Sequence, residues 1–232
     1  MSPAPQYRGL GDVIVTARPF DEYLAMFDLA DADLMTGPVL DCPAGASGFA
    51  AGARAIGADV TAVDPEYAID PDDLLRRARR DTEYGNRYVR DNPTTYSWGF
   101  FRDEPDHLAR RMAALDAFAA DRRAHPERYV IGALPLLPFD DDAFRLVVSS
   151  HLLFVYPDHF GYADHLRFAQ ELARVAGEEV RIFPLVDTTT ARWADLHRLR
   201  DDLAGCGVWS EVRRVEYEFI RDGDEMLVLR PG

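Results

Sequence analysis

The residues with the clearest chemical reach lie in two short stretches. In VLDCPAGASGFA, Val39 to Ala50, an apolar run ends on Asp41 and passes through Gly45 and Gly48 toward Gly52. Glycines let a backbone approach a ligand closely, and the N–H groups opening a following helix favour a carboxylate or phosphate. In VTAVDPEY a second apolar run ends on Asp64. A carboxylate there can accept both hydroxyls of an adenosine ribose, although acids after strands often only cap a helix. The glycines fall as G-x-x-G-x-x-x-G, not as the G-x-G-x-x-G of a dinucleotide turn. Pro43 and Ala44 also leave little free backbone for a pyrophosphate. Acid, glycine turn, acid is a stronger pattern than any of its parts, and a phosphate or an adenosine-containing cofactor both remain open to it.

Other reactive groups are sparse. His151 follows an apolar run and is the candidate general base; a structural histidine bonded to nearby backbone is the competing expectation. His151, Asp158, His159, Asp164 and His165 lie within fifteen positions but match no standard ligand spacing, so no metal is expected. Tyr84, Tyr88, Tyr96, Trp98, Phe100 and Phe101 crowd one stretch. Such rings can exclude water and stack on an organic or cationic substrate, or simply pack. Tyr96 and Trp98, in an irregular segment, are the expected substrate contacts. Tyr23 and Phe27 are expected in the core, and the aspartates at 140–142 in a solvated loop. All 26 basic residues are arginine. Schiff-base chemistry, a lysine base and a phosphate-loop lysine are thereby excluded.

These groups must be positioned by alternating elements. After an irregular start, Phe20, Tyr23, Leu24 and Phe27 recur at helical spacing. GPVLDC and DVTAVD read as the first two strands, with the small-residue helix GFAAGARAIGA between them. RYVIGAL, FRLVVSSHLLF and EEVRIFPLV read as the third to fifth strands. Tyr162, Leu166, Ala169 and Ala173 mark a helix ending near Gly177; Trp193, Leu196, Leu199 and Leu203 mark another, closed by Gly205. Asp70, Pro71, Asp72 and Asp73 make a strong helix start. Residues 65–127, far longer than a simple crossover, predict a helical insertion with an irregular middle at DNPTTYSWGFF. At the end, VWSEVRRVEYEFI and EMLVL flank RDGD, whose Asp-Gly predicts a tight hairpin turn. The expected fold is α/β: a Rossmann-like doubly wound sheet, mostly parallel, with a C-terminal antiparallel hairpin.

The totals set outer limits. A chain of 232 residues, 47% hydrophobic, suits a single domain over 1–232 with the insertion inside it. A net charge of −14 without a basic stripe argues against nucleic acid as a partner. No apolar run reaches the ~20 residues of a membrane span. The N-terminal MSPAPQYRGLGD lacks the apolar region of a secretory signal, and the two cysteines, Cys42 and Cys206, form no motif. A cytoplasmic setting is expected.

VLDCPAGASGFA, VTAVDPEY, LPLLPFDDDAFRLVVSSHLLFVY and EEVRIFPL resemble the successive motifs of class I S-adenosylmethionine (SAM)-dependent methyltransferases, bacterial members above all, from about Pro38 to Pro231. The resemblance implies that Asp41, Ala44 and Gly45 hold the methionine end of SAM. It places ribose on Asp64 and adenine between Ala133 and Leu134. Ser150 and His151 would line the transfer site. Pro43 and Ser47 depart from the family's glycines, and the acid often found after the third strand is missing.

Methyl transfer is an in-line displacement governed by positioning and desolvation, so no compact catalytic motif is required. The expected activity is SAM-dependent methyl transfer to a small molecule, by a monomer or homodimer. A non-catalytic SAM-binding domain and, more remotely, an NAD(P)-dependent oxidoreductase are the rivals.

Overall fold

The computed structural model describes residues 13–232; the expectation of no N-terminal leader falls on residues outside that range. Among the described residues, seven α-helices and seven strands follow one another. In order they are α1 (Phe20–Met26), α2 (Asp31–Leu34), β1 (Val39–Asp41), α3 (Phe49–Ala55), β2 (Val60–Val63), α4 (Pro71–Asp91) and α5 (Glu104–Ala124). There follow β3 (Tyr129–Val130), β4 (Phe144–Ser150), α6 (Tyr162–Val175), β5 (Ala176–Phe183), α7 (Leu196–Gly205), β6 (Val208–Arg214) and β7 (Glu225–Pro231). The sheet order is β3-β2-β1-β4-β5-β7-β6. All neighbouring pairs from β3 to β5 are parallel, and β7 runs antiparallel to both β5 and β6.

Both faces of the sheet are covered, and the strands show it residue by residue. In β4, Leu146 and Val148 face one core while Val147 faces the other; Val39 and Leu40 of β1 divide in the same way. A buried parallel strand therefore reads as a continuous apolar run rather than an alternating one. The first core includes α1, α3 and α5, the second α6 and α7.

The long segment after β2 begins as the sequence predicts. Asp70 caps α4, its carboxylate accepting the N–H groups of Asp72 and Asp73, with Pro71 at the first helical position. α4 and α5 pack antiparallel, tied by Arg79 to Asp116 and by Asn86 to His107. The far helix is tied to the sheet layer. α5 lies against α3, with the Gly48 backbone close to Ala114, and Asp121 is held by Arg54 and by the hydroxyl of Tyr129 at the head of β3. α5 thus packs between α3 and the head of β3, while α4 and residues 92–103 precede it in the chain.

The tight hairpin is not formed. β6 ends at Arg214 and β7 starts at Glu225, leaving a ten-residue connection, 215–224, between them. The Asp-Gly turn exists inside that loop, with Asp222 at φ 61° and Gly223 N–H on the Ile220 carbonyl. The expected strand extension through Phe219 and Ile220 is drawn away by other partners. Ser97 N–H donates to the Phe219 carbonyl at 2.8 Å, Arg221 N–H to the Thr95 carbonyl at 2.9 Å, and Tyr96 and Ile220 form an isolated bridge. The third strand is likewise cut short, to Tyr129 and Val130, since the chain turns at Gly132 toward an Ala133–Leu136 bridge.

Candidate functional site

The carboxyl ends of β1, β2, β3 and β4 open onto a cavity of about 290 Å³. The turn after β1 forms its floor, and hydrogen bonds from three directions shape that turn. Ala44 N–H donates to the Val63 carbonyl (3.0 Å), Ala46 N–H to Thr16 (3.1 Å) and Gly48 N–H to Arg18 (2.8 Å). Gly45 stands at φ 56°, a left-handed conformation that favours glycine. The other two glycines serve packing. A Cβ on Gly48 would come 3.3 Å from the Ala114 backbone, and one on Gly52 would lie 2.4 Å from Phe20.

Asp64 locks this turn to the end of β2. One carboxylate oxygen accepts the Gly45 N–H at 2.8 Å and the other the Glu66 N–H at 2.9 Å. Burial raises its pKa, opposed by these two N–H groups. Asp64 lines the cavity, as do Ala44, Gly45, Ala133, Leu134, Ser150 and His151.

Asp41 does not. It is fully buried beneath the turn and accepts the Ser47 hydroxyl at 2.9 Å and the Tyr23 hydroxyl at 3.3 Å. Burial pushes its carboxyl up to about 8. The expectation that Asp41 faces a ligand is therefore corrected. The chain reverses at Cys42, Pro43 and Ala44, these residues form the wall, and Asp41 holds the turn from behind.

A smaller cavity of about 80 Å³ adjoins the first, and Ile14, Thr16, Arg18 and His151 line both. His151 sits at that junction with φ 55°. Its N–H donates to the Phe183 carbonyl at 2.7 Å, and its Nδ1 is 2.8 Å from the Ser150 hydroxyl. Burial, then the nearby Arg18 and Arg111 charges, hold the imidazole pKa well below its ordinary value. The ring is neutral at physiological pH.

Tyr96 lines the smaller cavity, whereas Trp98 lines neither. The Trp98 ring meets Phe219 and His107 edge-on and packs behind the wall, which corrects its expected substrate contact. A buried polar network backs the same wall. Glu22 receives both terminal nitrogens of Arg111, at 2.6 and 2.8 Å, together with the Tyr217 hydroxyl at 2.6 Å. Arg111 Nε donates to His107 Nε2 (3.1 Å), so the His107 proton sits on Nδ1 and donates to Asn86 (2.7 Å). Burial drives the His107 pKa down to about 2, keeping that ring neutral.

Sequence reasoning missed the strip from Val13 to Arg18, the cavity contact of Tyr23, and the second cavity altogether. One signal was available: Thr82 and Asn86 interrupt the buried stripe Leu74, Ala78, Val89 of α4. Polar groups on a core stripe require partners or a ligand. Among the described residues, no three or more His, Cys, Asp or Glu side chains gather where they could hold a metal ion. His165 of the histidine-rich stretch is buried between the Gly161 and Leu153 carbonyls. No helix among the described residues is long and apolar enough to cross a membrane.

No family model matches the chain. It is 26% identical over 226 residues to an uncharacterized protein of Methanocaldococcus jannaschii, covering 97% of this chain and 99% of that one. Among solved structures it is similar to magnesium protoporphyrin IX methyltransferase from Synechocystis PCC 6803 with bound SAM, at 12% identity. That match has a TM-score of 0.50 and covers 92% of this chain and 78% of the other. A protein of Pyrococcus horikoshii OT3 aligns with a TM-score of 0.47 and 16% identity over 92% and 91% of the two chains. The parallel sheet with β7 antiparallel between β5 and β6, and the match to the Synechocystis enzyme, give the chain the Rossmann-like fold of the class I SAM-dependent methyltransferases.

Proposed function

We propose that this protein is a SAM-dependent methyltransferase acting on a small-molecule acceptor. One observation carries the proposal: two adjoining cavities, one at the carboxyl edge of the parallel strands, meet at His151. Ligands of such sheets bind at that edge.

The residues of the larger cavity suit an adenosine-bearing methyl donor. Asp64 offers a carboxylate to the ribose hydroxyls, and Leu134, Phe160 and Phe168 offer apolar walls to a base. The missing acid after β3 leaves the base to backbone and apolar contact. Ala44 and Gly45 present the turn's backbone to the amino-acid end, while Asp41 fixes that backbone indirectly. SAM supplies a methyl group already activated by a sulfonium. The protein's part is to hold the acceptor in line and exclude water. His151, neutral and shared by both cavities, is the proton acceptor at hand where the nucleophile must lose a proton. The related Synechocystis structure binds SAM, which supports the cofactor assignment. Cys42, buried, and Cys206, exposed, are both free thiols, in keeping with a reducing cytoplasm.

The test is calorimetry with SAM and with its demethylated product, S-adenosylhomocysteine (SAH). Binding of both is expected, and failure of both ends the proposal. Binding without turnover on any acceptor would favour a non-catalytic SAM-binding domain instead.

A further inference from the structure

The smaller cavity carries unspent hydrogen-bonding and charge on one wall. Glu22 is a single carboxylate facing two guanidinium groups. Arg111 takes it bidentately and also donates to the Ala17 carbonyl and to His107 Nε2. Arg18 is left with one long contact to Glu22, at 3.4 Å, and no other acceptor among the described residues. Its residue is 9% exposed, and it lines the junction of the two cavities. A guanidinium so nearly buried and so poorly matched is costly unless an anion joins it.

A second, independent group lies in the wall of the same cavity. Thr82, 5% exposed, lines the smaller cavity, and its hydroxyl has no hydrogen-bond partner. Asp81, the acid that lines this cavity, has other partners: it accepts the Val15 N–H at 2.9 Å and pairs with Arg77. The same cavity has an apolar and aromatic side, through Val89, Val155, Tyr96 and Phe219, beside a polar one that includes Asp81, Asn86, His107 and Thr188. The two arginines also lower the His151 pKa, so their field reaches the junction.

We propose that the methyl acceptor is a small molecule with an apolar body and a carboxylate, the carboxylate lying against Arg18 and the Thr82 hydroxyl in the smaller cavity. This rests on the methyl-transfer reading. Charge-assisted bonds to a guanidinium are among the stronger polar contacts, and where that guanidinium is largely buried they discriminate sharply against a neutral isostere. The donor's own carboxylate is the competing claimant on Arg18, and the experiment separates the two.

Benzoate, phenylacetate and hexanoate are titrated against their amides by calorimetry on the full-length protein, with and without saturating SAH. The acids are expected to bind about tenfold or more tighter than the amides. Arg18→Gln is expected to erase that preference while SAH affinity stays within about threefold, and Thr82→Val to weaken the acids alone by about threefold or more. Equal binding of acids and amides to the wild type overturns the proposal without any variant. An equal loss of SAH and acid binding in Arg18→Gln also overturns it, by giving Arg18 to the donor. SAH binding without acid preference defeats only this inference. Acid preference without SAH binding defeats the methyl-transfer reading and keeps the anion site.

Discussion

At the scale of single residues, the two acids singled out by sequence have different duties. Asp64 borders the ligand space, so Asp64→Asn is expected to weaken SAH binding about tenfold or more by removing a charged acceptor; an unchanged Kd in calorimetry would release Asp64 from that role. Asp41 is buried with a carboxyl near 8 against an ordinary 3.8. The folded state therefore holds a proton that the unfolded chain releases, and stability falls as pH rises from about 4 to about 8. The limiting slope is about 1.4 kcal/mol per pH unit. Asp41→Asn has no such titration. Its melting temperature should gain on the wild type as pH rises through that window and hold level above it; parallel melting curves from pH 5 to 8 would refute this. His151→Ala should cut turnover about a hundredfold or more if its imidazole takes the acceptor's proton, with SAH affinity within about threefold. Undiminished turnover would remove His151 from the chemistry. Asp64 was legible because it ends an apolar run that could only be a strand. Arg18 was not, because Gly48 and Ala46 fix its segment through backbone bonds that leave no periodic trace in sequence.

Elements show the same division between local and tertiary causes. The start of α4 could be read from Asp70 and Pro71 because capping is a matter of four neighbouring residues. The end of β6 could not, because residues 95–97, more than a hundred positions away, compete for its backbone. Gly52 illustrates how a sequence signal can be right in residue type and wrong in cause. It looks like part of a ligand turn, yet it lets α1 meet α3 at Phe20. Gly52→Ala gains helix propensity of about 1 kcal/mol but forces the Phe20 ring aside, and overpacking of this kind costs about 1–3 kcal/mol. A net loss of about 1 kcal/mol is expected, as a lower denaturation midpoint with an unchanged slope. A stabilised variant would show that α1 shifts freely.

At the scale of the whole molecule, the mostly parallel sheet and its double covering follow from alternation of apolar runs and helical stripes and were readable; the strand order was not. The packing of α5 against α3 was not readable either, because those contacts join residues far apart in the chain. If the larger cavity is the donor site, SAH at a hundred times its Kd adds about 2.7 kcal/mol of stability. For a chain of this length that should raise the melting temperature by about 5–10 °C; no shift would contradict a preformed site. The seam between Tyr96 and Ile220 has a practical consequence for engineering. Two loops with no sequence proximity, one from the helical hairpin and one from the C-terminal strand pair, close the same small cavity. A chimera that transplants residues 92–103 from a relative while retaining the host's 215–224 would inherit half a wall, so any exchange of acceptor preference must move both loops together.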